Sequence, residues 1–226
     1  LGLVAVPVAL ASPASAAERI STFDVEAVVR ADTVLEISET IVWNFGGASR
    51  HGIYRFIPRY SDLPDGYRQY YGIDVTSVTQ DGNPVDVVES TQGAYLNLQI
   101  GSASSTVSGS HTYVIDYTVT GALTVVSDAD AQMLGRVSAG DAELYWNFVG
   151  TQWDVPIAKA GFRVRGPAPA LAARLFIGER GSTTMCEPKV DGDWLACGPV
   201  GLAAQEGITG VIAYAKGAFT APISPD

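Results

Sequence analysis

Histidine and cysteine are scarce in this chain, two of each in 226 residues. His51 and His111 stand far from each other and from Cys186 and Cys197, too few and too scattered for a metal set, so no metal or cofactor is expected. Lysine is nearly missing as well: 11 of the 14 bases are arginine, and 24 acids bring the formal net charge to −10. A field of that sign argues against a nucleic-acid partner. The strings that mark common catalytic sites are also absent: no G-x-S-x-G, H-E-x-x-H, Walker loop, G-x-G-x-x-G or C-x-x-C occurs. That weighs against the commoner secreted hydrolases, although a triad assembled in space leaves no contiguous string. After residue 17, no apolar run reaches the roughly 20 residues of a bilayer-spanning helix.

What is present reads as globular: 47% apolar residues, 24 Gly and 12 Pro. Residues 1–17, LGLVAVPVALASPASAA, are uncharged. Leu1 to Ala11 has the character of a signal-peptide apolar region, and Ser15 and Ala17 are small enough for a cleavage site. The initiator Met and a basic leader are missing, so a signal peptide cropped at its start is expected, with an exported chain beginning near Glu18. In an oxidising compartment Cys186 and Cys197, which flank VDGDW (190–194), are expected to form a disulfide across the Asp191-Gly192 turn.

The dominant period is two. Phe23, Val25, Ala27 and Val29 alternate with more polar neighbours; Leu35, Ile37, Ile41, Trp43 and Phe45 share one face; Tyr113, Ile115, Tyr117 and Val119 repeat the pattern, as do Leu144, Trp146 and Phe148. Such alternation, cut by turns such as Gly46-Gly47, Asp65-Gly66, Asp81-Gly82 and Gly140-Asp141, predicts an all-β fold with little helix. The expected architecture is an antiparallel β-sandwich of about 11 strands, centred near residues 25, 39, 56, 76, 97, 115, 146, 161, 176, 195 and 212. A helical turn or two is the most that Asp128 to Val137 offers. The sandwich is expected over 18–221, with a smaller C-terminal lobe from about 168 as an option, and 222–226 as a tail or linker.

Several groupings bear on chemistry. Ser110, His111 and Asp116 resemble a triad, but on a strand His111 and Asp116 point to opposite faces. The acidic pairs Asp128/Asp130 and Asp191/Asp193 fall short of a calcium loop. Glu39 lies on an apolar face between Ile37 and Ile41. It is a catalytic acid or ligand group in a cleft, a residue turned outward by a bulge, or half of a structural ion pair with an arginine. Residues 49–71, SRHGIYRFIPRYSDLPDGYRQYY, gather Arg50, Arg55, Arg59 and Arg68 with six aromatics, a composition suited to carbohydrate, lipid headgroup, carboxylate or a protein interface. The competing reading is that these arginines pair with the chain's acids and pack their stems on tyrosine rings. The segment ELYWNFVGTQWDVPI (143–157) reads as a core strand running into a turn.

The segments SETIVWNFGGASRHGIYRFIP (38–58), GSHTYVIDYTVTGAL (109–123) and ELYWNFVGTQWDVPI (143–157) are similar, in this order, to the N-terminal domain of the domain-of-unknown-function 2207 family. The opening 18–41 and EGITGVIAYAKGAF (206–219) extend the likeness over nearly all of the chain after residue 17. The resemblance implies a membrane protein, mostly bacterial, with an outward-facing β-rich domain and spanning helices after it, and it brings no catalytic residues. The expectation is therefore a non-catalytic domain at the extracytoplasmic face of the membrane, held by an anchor outside this chain. Arg50, His51, Tyr54 and Arg55 are the candidate recognition patch, and the partner is a cell-envelope glycan, a lipid or a membrane protein. The alternatives are a glycan-processing enzyme using Glu39 in a cleft, and a passive spacer or assembly module.

Overall fold

A computed structural model describes residues 17–62, 68–128, 131 and 137–223. The signal-like residues 1–16, the Asp65-Gly66 turn, Asp130 and most of Asp128–Val137 lie outside the described residues. The strands are β1 (Arg19–Val29), β2 (Leu35–Asn44), β3 (Ile53–Pro58), β4 (Tyr60–Asp62), β5 (Arg68–Tyr70), β6 (Gly72–Gln80), β7 (Asn83–Pro84), β8 (Val87–Gln92) and β9 (Tyr95–Ile100). They continue as β10 (Ser110–Thr120), β11 (Leu123–Val125), β12 (Ala142–Val149), β13 (Ile157–Arg165), β14 (Ala172–Gly178), β15 (Lys189–Asp191), β16 (Trp194–Leu202) and β17 (Gly207–Tyr214). Each expected strand centre falls inside one of them; β4, β5, β7, β8, β11 and β15 are short additions that alternation did not reveal.

An eight-stranded sheet runs in the order β15-β16-β13-β1-β2-β10-β6-β7. Opposite it stand a four-stranded sheet, β11-β12-β17-β14, and a three-stranded sheet, β3-β9-β8, with β4 and β5 as a separate ribbon. Residues paired across neighbouring strands share a face. One inner row of the large sheet therefore reads Cys197, Phe162, Val25, Glu39, Ile115 and Val78. Phe162 stacks on Phe148 of β12 with ring centroids 3.9 Å apart, which joins the large and four-stranded sheets. Ile20, Phe23, Leu35, Ile41 and Ile115 are fully buried along this face, and each such side chain contributes about 1.5–3 kcal/mol by leaving water.

One pairing departs from the antiparallel expectation: β1 and β13 run parallel, from Ile20 opposite Ile157 to Val28 opposite Arg165. Alternation carries no information on strand direction, since the pleat has period two either way. The strands beyond residue 168 are shared between the eight- and four-stranded sheets, β17 beside β12 with β14 at its edge, and β16 beside β13 with β15 at its edge.

Cys186 and Cys197 are bonded, with Cα atoms 6.0 Å apart. The turn between β15 and β16 forms as expected, with Asp191 paired to Trp194. Cys186, however, lies ahead of β15 and donates its N–H to the Leu175 carbonyl of β14 at 2.8 Å. The disulfide thus ties the edge of the four-stranded sheet to β16 of the large sheet. Replacing both cysteines by serine is expected to lower stability by about 3 kcal/mol, from the closure entropy of so short a loop, read as a lower midpoint in urea with the β signature in circular dichroism intact.

Candidate functional site

Two charged residues sit where the pleat points into the core. Glu39 lies between Ile37 and Ile41 on β2, and Arg55 between Ile53 and Ile57 on β3. Both are buried, at 0% and 1% exposure. Arg55 donates from Nε to Glu39 Oε2 at 2.7 Å and from Nη2 to Oε1 at 2.6 Å. The Tyr117 hydroxyl donates to the same Oε1 at 2.7 Å, and Arg55 Nη1 to the Phe56 carbonyl at 2.5 Å. The guanidinium lies 5.6 Å from the Trp153 ring centroid and 6.0 Å from that of Phe23. Gly150 leaves room for it, since a Cβ there would stand 3.2 Å from Nη1.

The electrostatics follow from this geometry. Burial pulls the Arg55 guanidinium down, but the adjacent Glu39 charge and hydrogen bonds outweigh it and hold Arg55 above its usual value. Burial, then the Glu39 charge, pushes the Tyr117 phenol well above its ordinary value. The arginine is held charged and the tyrosine protonated, which suits a bidentate ion pair with a phenol as third donor. Of the three readings open for Glu39, the structure shows the ion pair.

The expected recognition patch is therefore split. Arg55 is a correction: it points inward, because neighbours on a strand face opposite sides and Tyr54 takes the outside. Tyr54 is 52% exposed. Arg50 is exposed but bonded to Glu18, Nη2 to Oε2 at 3.0 Å, while Glu18 Oε1 accepts from Trp43 Nε1 at 3.0 Å. His51 Nδ1 faces the carbonyls of Ser102 and Ser105 at 3.1 and 2.9 Å and so holds the loop after β9. Gly52 (φ 133°) and Gly101 (φ 132°) cross at the head of β3 and β9, where a Cβ would meet the Ile100 oxygen at 1.9 Å and the His51 oxygen at 2.0 Å.

Sequence reasoning missed the neighbours of Tyr54. Register places Tyr54, Gln99 and Val88 in one row across β3, β9 and β8, then Phe56, Asn97 and Ser90, then Pro58, Tyr95 and Gln92. The alternation of Tyr54 with Phe56 was a usable signal for β3; VVESTQ (87–92) has no apolar alternation, so β8 gave none.

The remaining groupings are not brought together as chemistry. His111 Nδ1 lies 2.7 Å from Asp81 Oδ2, and Nε2 3.0 Å from the Ser108 carbonyl, while Asp116 projects from the other side of β10. The N–H of Thr112, then His111, holds the Asp81 carboxyl below the usual range. Burial, then the Asp81 charge, pushes the Tyr113 phenol up to about 12. Asp191 and Asp193 sit at the exposed β15–β16 turn. Among the described residues no cluster of three or more His, Cys, Asp or Glu is placed to hold a metal ion. Two open recesses of about 450 and 570 Å³, beside Arg180 and Glu206 and beside Arg30 and Arg165, do not include Glu39.

The family model described as "Predicted membrane protein (DUF2207) N-terminal domain" matches residues 19–212. A curated relative, "Uncharacterized protein YciQ" of Escherichia coli (strain K12), is 31% identical over 179 residues, 74% of this chain and 25% of that protein. The chain thus spans about a quarter of the length of the curated relative it matches. Among solved structures, native yeast LTA4 hydrolase superposes with a TM-score of 0.53 at 14% identity, over 86% of this chain and 29% of that one. Native leukotriene A4 hydrolase from Saccharomyces cerevisiae gives 0.52 at 14% identity over the same shares, 86% and 29%. At such identity the likeness is one of fold alone.

Two outcomes are expected from this geometry. Arg55→Ala leaves Glu39 buried without its partner and costs about 3–5 kcal/mol, whereas the paired change Glu39→Leu with Arg55→Met costs far less, because no charge is stranded; urea unfolding of the three proteins measures both. Asp81, with its depressed value in the fold, stabilises fully above the ordinary carboxyl value, and that contribution fades as pH falls through the folded value. Asp81→Asn should therefore flatten the acid limb of a melting-temperature profile while leaving its slope above neutral pH unchanged.

Proposed function

The chain belongs to the predicted membrane protein (DUF2207) family, as its N-terminal domain, and from that premise we propose that it acts by binding rather than catalysis, at the extracytoplasmic face of a membrane-anchored protein. Its partner is a component of the cell envelope. The observation that carries this reading is the two-sidedness of β3: its inner face is sealed by the Glu39–Arg55 pair, and its outer face stands in solvent beginning with Tyr54. Among the described residues no helix is long and apolar enough to cross a membrane. The Cys186–Cys197 disulfide suits an oxidising compartment outside the cytoplasm.

The glycan-processing alternative needs an accessible acid, and Glu39 has both oxygens occupied inside the core. Glycoside hydrolysis would also need a second carboxyl across an open site. The recognition residues on this reading are Tyr54, with Arg50 and His51 at the head of β3; Arg55 acts as the strut beneath them.

A thermal-shift screen against envelope glycans, lipids and solubilised envelope proteins tests the reading. A ligand at a hundredfold excess over its Kd adds about 2.7 kcal/mol, a rise of roughly 5–10 °C for a domain of this size. The combined Arg50→Ala and Tyr54→Ala variant should lose that rise while melting within about 2 °C of the parent, as exposed substitutions do. No rise with any fraction would leave the spacer account standing.

A further inference from the structure

We propose that the outer face of the three-stranded sheet is a docking platform for a neutral, β-linked polysaccharide. This names the ligand class of the binding domain proposed above and rests on that reading.

The nine outward positions of β3, β9 and β8 form three rows, each with an aromatic ring and a carboxamide: Tyr54 with Gln99, Phe56 with Asn97, and Tyr95 with Gln92. Val88, Ser90 and Pro58 complete the grid. Val88 is 61% exposed beside the 52% of Tyr54. Phe56 and Tyr95 meet edge to face with centroids 6.2 Å apart. Residues four apart along a strand stand about 13 Å apart and the three strands cover about 10 Å across, which is room for a short stretch of sugar rings.

The chemistry of the face selects the occupant. Protein surfaces usually carry about 25–35% charged side chains; none of these nine positions is charged, in a chain whose net charge is −10. On the grid itself a lipid headgroup or acidic polymer would find no guanidinium or ammonium: exposed Arg50, at the head of β3, is already paired with Glu18 at 3.0 Å, Arg59 lies beyond Pro58, and the molecule as a whole repels an anion. A neutral pyranose has apolar C–H faces that stack on aromatic rings and hydroxyl edges that bond carboxamides, the pairing each row supplies. A flat, β-linked ribbon presents those groups repeatedly, as the rows do. Asn97 adds an independent sign: it is only 9% exposed, its Nδ2 donates to Ser90 Oγ at 3.2 Å, and its Oδ1 has no hydrogen-bond partner. That oxygen is closed to solvent, so a sugar hydroxyl reaches it only when the Asn97 side chain turns outward, which relieves the cost of a buried acceptor without a donor.

The test is depletion of the full chain from solution by insoluble chitin and cellulose, with polygalacturonate as the acidic polymer in affinity electrophoresis. At least one neutral polymer should retain the protein and polygalacturonate should not. Tyr54→Ala should weaken retention about tenfold and Tyr54→Phe leave it within about twofold, as stacking requires. Gln99→Ala should weaken it about threefold, as loss of one hydrogen bond does. Val190→Ser, a change at an exposed position on β15, should have no effect, and all variants should melt within about 2 °C of the parent. Equal retention by polygalacturonate, or an equal loss in Val190→Ser, overturns the proposal. Absence of retention by both neutral polymers, with an envelope-induced melting shift that Tyr54→Ala abolishes, overturns it while the binding domain stands; absence of both signals overturns both. A Tyr54-dependent dimer in sedimentation without polymer binding would make the face a self-association surface and equally overturn it.

Discussion

The buried pair of Glu39 and Arg55 is the constraint on which the rest of the domain depends. A carboxylate in the middle of an inner row is tolerable only when its oxygens are filled and a countercharge is close. Here two arginine nitrogens and the Tyr117 hydroxyl fill them. The guanidinium in turn uses a third nitrogen on the Phe56 carbonyl and rests near the rings of Phe23 and Trp153. Such a pair adds little net stability over an apolar substitute, yet it is intolerant of displacement. A slip of β3 by one residue would turn Arg55 outward and strand Glu39, so the pair fixes the register of the three-stranded sheet against β2.

From that register the surface follows. With Ile53, Arg55 and Ile57 inward, Tyr54, Phe56 and Pro58 have only the outside to occupy, and pairing with β9 and β8 adds Gln99, Asn97, Tyr95, Val88, Ser90 and Gln92 to the same face. The two glycines at the head of β3 and β9 allow the backbones to cross there, and Gly150 makes space behind Arg55. The four-stranded sheet is held by different means, Phe148 stacked on Phe162 and the disulfide from beside β14 to β16. The three-stranded sheet is thus placed by the charge pair and held by buried Ile53, Ile57, Leu98 and Ile100, and the four-stranded sheet by aromatic packing and a covalent bond.

Strands such as β1, β2, β10 and β12 were legible because half-buried strands write their burial as a period of two, whereas β17, buried at nearly every position, shows no such period and was marked by the turns around it. The short strands were not, since β8 is exposed along nearly all its length and β4, β5, β7, β11 and β15 are too short to show a period. Direction was illegible for the same reason that left the parallel pairing of β1 and β13 unforeseen. Glu39 stood out as a charge flanked by isoleucines two residues either side, and Arg55 carries the same signature in Ile53-x-Arg55-x-Ile57. Two such charges of opposite sign on neighbouring strands in sequence identify each other as partners. Arginine's usual place at surfaces obscured this, because composition groups Arg55 with Arg50 and Tyr54 whereas the pleat separates them. The long-range register that places Tyr95 and Asn97 beside Phe56 has no local trace at all.

The same separation orders the functional argument. A carboxylate, a guanidinium and a tyrosine within hydrogen-bond reach would read as catalytic machinery if they opened on a cleft, but here all three are enclosed and mutually satisfied. Their work is done when the register is set, and what they set is a face on which aromatic and amide side chains alternate without charge. That face begins near Glu18, through the Arg50 ion pair at the head of β3, whereas Thr220 bonds the Ala31 carbonyl at the other end of β1, about 36 Å away for a strand of 11 residues. Residues 220–223 therefore do not lie across the Tyr54 row. A polar-aromatic surface backed by a satisfied buried pair, and clear of the C-terminal residues described, would on the proposed reading leave little ordering cost to binding.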